Sequence, residues 1–157
     1  MIKKIESNAI SLDQRANNGK WCRLSYYNHP HGCPNFGKRK SCPPFTKNFL
    51  DIIEPPFFLV IEEFNIDLYI KKMKEKHPNW TDKQCRNLLY WQKGVKKKLK
   101  EKAYEFSGYL GNGYTVLEVP EANGVNVFQT CNNVGIMLER YPQKIIKKVM
   151  IIGKKKP

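Results

Sequence analysis

From Phe57 to Ile61 five apolar residues follow one another without a polar break, behind Pro55-Pro56. A β-branched and aromatic run of that kind predicts a buried strand. Residues 66 to 76 carry a helical pattern that must stop before Pro78. Thr81-Asp82-Lys83-Gln84 then forms a capping box, in which the threonine hydroxyl and the glutamine amide satisfy each other's free backbone donors. Cys85, Leu88, Val95, Leu99, Ala103 and Phe106 recur behind it at helical spacing, with Gly108 as the expected stop. Tyr114 to Val119 predicts a strand ended by Pro120, and Val125 to Phe128 another. A short helix is expected over Ile136 to Tyr141, a strand over Val149 to Ile152, and a strand or extended lead-in over residues 1 to 12. These elements predict α+β, or a small α/β layer: a mixed sheet of three to five strands packed with two or three helices.

The periodicity fails between residues 13 and 48, where three cysteines, two histidines and much of the Pro, Gly and Asn are found. So long a stretch without pattern is either disordered or held by something other than an apolar core, and a bound metal would serve. The 157 residues fit one domain. We divide it into a Cys-rich metal-binding segment (13–48), an α/β core (54–153) and a basic tail (154–157) expected to fray.

Charge narrows the function. Lys and Arg number 28 against 14 acidic residues, a net charge of +14. Such an excess points to a polyanion, nucleic acid before an anionic membrane. Of the basic residues 23 are Lys and 5 are Arg. Lysine is a hydrated point charge suited to phosphate, whereas base edges are read by the arginine fork. A nucleic-acid partner would therefore be recognised by backbone or shape, and RNA is expected before DNA. Residues 67 to 107 alone hold 12 basic and 5 acidic groups. Arg86, Lys93, Lys96, Lys97, Lys98 and Lys100 are the candidate nucleic-acid-binding residues, and Lys102 also lies off the apolar stripe. A plain solvated face accounts for them equally well. Trp80, Tyr90 and Trp91 are either stacking platforms for unpaired bases or core, with core the stronger reading.

No apolar run approaches the roughly 20 residues that span a bilayer, and the N-terminus has no secretory pattern. The expected setting is cytoplasmic, where cysteines act as thiols or metal ligands rather than disulfides.

The candidate chemistry lies in Cys22, Cys33 and Cys42, spaced Cys-x10-Cys-x8-Cys. There is no Cys-x-x-Cys pair of the kind that most structural zinc sites use. Cys33-Pro34 and Cys42-Pro43 repeat a dipeptide that recurs at iron–sulfur ligands. Cys131, between an expected strand and an expected helix, is the fourth candidate: the helix dipole and nearby lysines can lower its pKa, which suits metal ligation or nucleophilic chemistry, and a small buried apolar residue is the alternative reading. Cys85, on a buried helical stripe, reads as core. His29 and His31 either complete a zinc or mixed Cys/His site or decorate a surface turn. His77 reads as a helix-end residue.

Gly32-Cys33-Pro34-Asn35-Phe36-Gly37, followed by Ser41-Cys42-Pro43-Pro44-Phe45, resembles the signature of a prokaryotic family of predicted metal-binding proteins. That family pairs a Cys-Pro-x-aromatic-Gly turn with a downstream Ser-Cys-Pro-Pro and an apolar strand, which Phe57 to Phe64 matches here. The likeness is good over residues 13 to 64 and loose over 86 to 139. The family's second cysteine-rich cluster is reduced to Cys131 beside Gly135-Ile136. The resemblance implies one metal centre with Cys33 and Cys42 as ligands and Cys22 and Cys131 as partners. It implies no reaction.

The expected function is a metal-binding protein carrying one [4Fe–4S] cluster and acting on or beside RNA. An iron left open by three-thiolate ligation would suit nucleotide modification or sulfur transfer. Zinc is the alternative cofactor, stapling a basic module that binds nucleic acid or a ribonucleoprotein. A small electron carrier docking on an acidic protein partner is a third reading. The sequence has no Walker-type loop, dinucleotide fingerprint or nucleophile elbow.

Overall fold

The computed structural model describes residues 1–13, 15, 19–25 and 29–157. Tyr26, Tyr27 and Asn28 of the cysteine block lie outside the described residues. Four strands form one sheet in the order β1-β2-β4-β3, with β1 Ile2–Ile5, β2 Ile53–Asn65, β3 Tyr114–Leu117 and β4 Ile145–Lys155. Every pairing is antiparallel, Ile5 opposite Phe57, Val60 opposite Met150 and Leu117 opposite Ile151. The fold is α+β, and the mixed sheet expected above is corrected to a wholly antiparallel one.

The apolar run of β2 is continuous because both sheet faces are covered at its centre. Phe57, Leu59 and Ile61 point into one cluster with Ile5, Phe49, Val125, Cys131 and Ile151. Phe58 and Val60 point the other way, against Leu99, Ala103, Met150 and Ile152. The second cluster lies under the long helix α4, Leu88–Leu110. A third, Ile66, Trp91 and Val95, closes one end. Within β4 Gly153 is required by space, since a Cβ there would come within 2.7 Å of the Ile53 side chain.

Helix α1 (Phe49–Ile52) precedes β2, and α2 spans Ile66–Lys76 as the sequence predicts. The capping box forms, with Thr81 and Gln84 bonded reciprocally, yet it starts only the single turn α3, Asp82–Cys85. Asn87 then accepts from the Leu89 N–H and opens α4, so the expected continuous helix is broken. The break turns Leu88 outward, while Val95, Leu99 and Ala103 remain buried.

Three further expectations change. Val125 makes only an isolated bridge with Leu12, and Asn126 caps α5, Val127–Asn133, by accepting from the Gln129 N–H. The strand expected at Val125 to Phe128 is thus mostly helix, one cap stronger than a run of four apolar-rich residues. Gly135 follows at φ 77°, and residues 136 to 141 form no helix. Lys154 and Lys155 do not fray, because they pair in β4 with Glu54 and Ile53.

Candidate metal centre and nucleic-acid surface

The cysteine segment is held together by backbone bonds rather than a core. Cys22 lies in a single 3₁₀ turn, Trp21–Arg23, and its carbonyl accepts from the Cys33 N–H at 2.6 Å. The Cys33 carbonyl accepts from Phe36, the Pro43 carbonyl from Gly37 and the Cys42 carbonyl from Phe45. Residues separated by ten and eight positions are thereby folded onto one another. Among the described residues of 13–48 only Gly19, Gly32 and Pro43 are buried. Gly19 packs under Phe36 and Pro43, and the Arg23 guanidinium sits 5.5 Å from the Phe36 ring centre.

All three thiols are free and half-buried. Burial first, then the nearby Cys33 and Cys42, push the Cys22 thiol pKa up. That mutual repulsion between thiolates is what a cation would reverse. Among the described residues no group of three or more His, Cys, Asp or Glu side chains already stands as a ligand set, so a metal would have to draw the thiols together. The donor set fits: three soft sulfurs suit zinc or an iron–sulfur cluster, and His29, half-buried, starts the turn into Cys33, its carbonyl accepting from Gly32. His31 is exposed.

Cys131 is placed elsewhere. It is fully buried within α5 in the main core cluster, beyond the helix start that would lower a thiol's pKa. Burial, then Glu121, push its pKa up to about 11, opposite to the sequence expectation. Cys85 is fully buried too, as expected of core.

The lysines of α4 spread around its outer side. Lys93, Lys96, Lys97, Lys98 and Lys100 are all exposed. Lys100 pairs with Glu118 at 2.6 Å, Lys97 reaches Glu101 at 3.8 Å, and Lys102 turns to Glu62 on the far side. Among the described residues Lys93, Lys96 and Lys98 make no ion pair with a carboxylate. Arg86 is half-buried and donates to the Pro142 carbonyl, so its guanidinium braces the 140s loop.

The aromatics divide cleanly. Trp91 is core, stacked on Phe64 at 5.0 Å and 14° and donating from Nε1 to the Arg86 carbonyl at 3.1 Å. Trp80 and Tyr90 are instead part of a surface stack. His77 lies on Trp80 at 4.0 Å and 12°, and Trp80 on Tyr90 at 5.5 Å and 26°. His77 ends α2 as the sequence predicts, its N–H donating to the Met73 carbonyl, and its ring is in addition a member of this stack that the sequence reading missed. Its three-residue spacing from Trp80 across Pro78 was the available signal.

The sequence pattern also carries no sign of Glu121 and Lys148, which line one cleft from distant segments. Among the described residues no helix is long and apolar enough to cross a membrane. Comparison with protein-family models, with curated proteins and with solved structures finds no match to this chain. The likeness of the cysteine block to a metal-binding family thus rests on its motif residues alone.

Proposed function

We propose that the protein is a metal-centred RNA-binding protein. Cys22, Cys33 and Cys42 hold one metal centre that fixes the N-terminal segment, and α4 with the neighbouring ring stack takes single-stranded RNA. One observation carries the metal half: Cys33 is tied by its backbone to Cys22, and with Cys42 they lie in a segment with no buried apolar side chain except Pro43 among its described residues. Such a segment gains little from burial, and a structural metal supplies the missing stabilisation. An iron–sulfur cluster is the first reading, supported by the two Cys-Pro steps and by three thiols without a fourth cysteine beside them; when bound it would offer one open iron. Zinc is the second, for which a histidine of the same segment, His29 or His31, would supply a fourth ligand by residue type.

The RNA half is supported by net charge, by exposed lysines on α4 and by the parallel rings of His77, Trp80 and Tyr90. Lysine supplies sequence-independent attraction to phosphate, and flat rings accept any unpaired base. Fluorescence anisotropy with a labelled single-stranded RNA over a salt series tests it. Affinity should fall steeply with salt and exceed that for duplex of equal length; salt-independent binding, or none, removes the RNA half.

A further inference from the structure

A cleft of about 950 Å³ lies between α4 and the strand-end segments around residues 118–121 and 138–150. A second cavity of about 740 Å³ reaches Trp21, the neighbour of Cys22. The two share Glu121, Phe128, Arg140 and Tyr141 in their linings, so they adjoin as one groove. Both ends of the cysteine segment are tied to that same region. Asp13 N–H donates to the Gly124 carbonyl and Asn126 N–H to the Ser11 carbonyl, both at 2.8 Å. The Thr46 hydroxyl donates to the Ala122 carbonyl at 2.9 Å.

Cations dominate the groove chemically. Burial, then Lys96, push the Lys148 pKa down, with Glu121 only partly offsetting them. Burial of its carboxyl pushes the Glu121 pKa up, although the residue keeps an exposed edge. The other lining carboxylates have partners or stand in water: Glu118 accepts from Lys100 and from the Tyr104 hydroxyl, Asp82 pairs with Lys74, and Glu139 is exposed. Lys96 and Lys148 thus line one cleft, with Glu121 as the carboxylate that faces Lys148. At the shared waist two rings are open, Phe128 being 45% and Tyr141 85% exposed. A volume of this size accommodates a small ligand with several polar anchors.

We infer that this groove binds a nucleoside monophosphate, its phosphate on Lys96 and Lys148 and its base against Phe128 and Tyr141. The inference goes beyond the metal centre and stands without it. The same chemistry comes from a free nucleotide or from the 5′-phosphorylated end of an RNA strand.

The test is titration of the full-length chain with AMP, adenosine, inorganic phosphate, and 5′-phosphorylated and 5′-hydroxyl adenosine pentamers, read by calorimetry and by ¹⁵N amide shifts. AMP should bind more tightly than adenosine or phosphate and shift the amides of Glu121, Phe128 and Lys148. Lys148→Met should weaken AMP about tenfold or more, as expected for one charged hydrogen bond. Lys71→Met, on α2, should leave it unchanged. If Lys148→Met does not fold, Lys96→Met and Tyr141→Ala, at exposed positions, carry the test. A 5′-phosphorylated pentamer that outbinds both AMP and its hydroxyl counterpart assigns the site to an RNA end; AMP binding as tight or tighter assigns it to free nucleotide. Unmoved amides at millimolar AMP, or wild-type affinity in these variants, overturn the inference. Loss of RNA binding by a Trp80→Ala variant with AMP binding intact bears on the ring stack and leaves the groove untouched.

Discussion

Gly32 lies directly beneath the Cys22 carbonyl: a Cβ at Gly32 would come within 2.3 Å of that oxygen, and its φ is 83°. The position therefore excludes a side chain twice, by space and by the left-handed backbone that L-residues avoid. Gly37 shares the backbone sign, φ 67°, but a Cβ there would meet nothing within 4 Å. Gly32→Ala should separate Cys33 from Cys22 and lose most bound metal. Gly37→Ala should cost only about 1 kcal/mol and keep it. Metal content per chain and thermal melting of the pair check this, and equal retention in both would detach the Cys22–Cys33 contact from the metal centre.

Trp80 and Trp91 should fail in different ways. Trp91→Ala empties a buried site and should cost about 3–5 kcal/mol in urea unfolding. Trp80→Ala should leave stability nearly unchanged and weaken single-stranded RNA by about 1–3 kcal/mol, the worth of one stacked base. A Trp80→Ala variant binding RNA as tightly as wild type would leave the ring stack without a role in recognition.

Reversing Lys96, Lys97 and Lys98 to Glu tests the helix face through salt. If all three touch phosphate, the slope of log affinity against log salt should shrink by about 2 for a single strand. A parallel line of lower affinity would mean a general field effect in place of direct contacts.

Cys131 makes stability depend on alkaline pH. Its folded pKa stands at about 11 against an ordinary 9.0, so below pH 8 both folded and unfolded chains keep the proton and the thiol contributes no slope. Between pH 9 and 11 the unfolded chain releases it while the folded chain holds it, and stability falls as pH rises, by roughly 3 kcal/mol in total. Urea unfolding of wild type and Cys131→Ala across pH 8 to 11 should give curves that converge as pH rises. Curves that stay parallel would contradict the burial argument. The native thiol should also resist alkylation at pH 8.

Much of the fold was legible where one physical signal acted alone. Residues 66 to 76 needed only helical periodicity and Pro78, and the Thr81–Gln84 box formed as read. Errors came where two signals competed. Asn126 capping a short helix overrode the apolar look of Val125 to Phe128, and Asn87 restarted a helix that periodicity alone would run through. The sheet's antiparallel order depends on long-range pairing of β2 with β4, which local pattern cannot report. At the site, the cysteines could be picked out by residue type. The groove around Glu121 and Lys148 could not, because segments far apart in sequence build it.

The most direct measurement is metal and acid-labile sulfide analysis, with a visible spectrum, on protein purified without oxygen. We expect one metal centre per chain, with iron, sulfide and broad absorption near ~400 nm for the cluster, or one colourless zinc for the second reading. Cys33→Ala and Cys42→Ala should abolish it, while Cys85→Ala, a change in the fully buried core, should keep it. Wild-type protein that is folded, metal-free and unchanged in melting temperature on adding iron with sulfide or zinc would contradict the account.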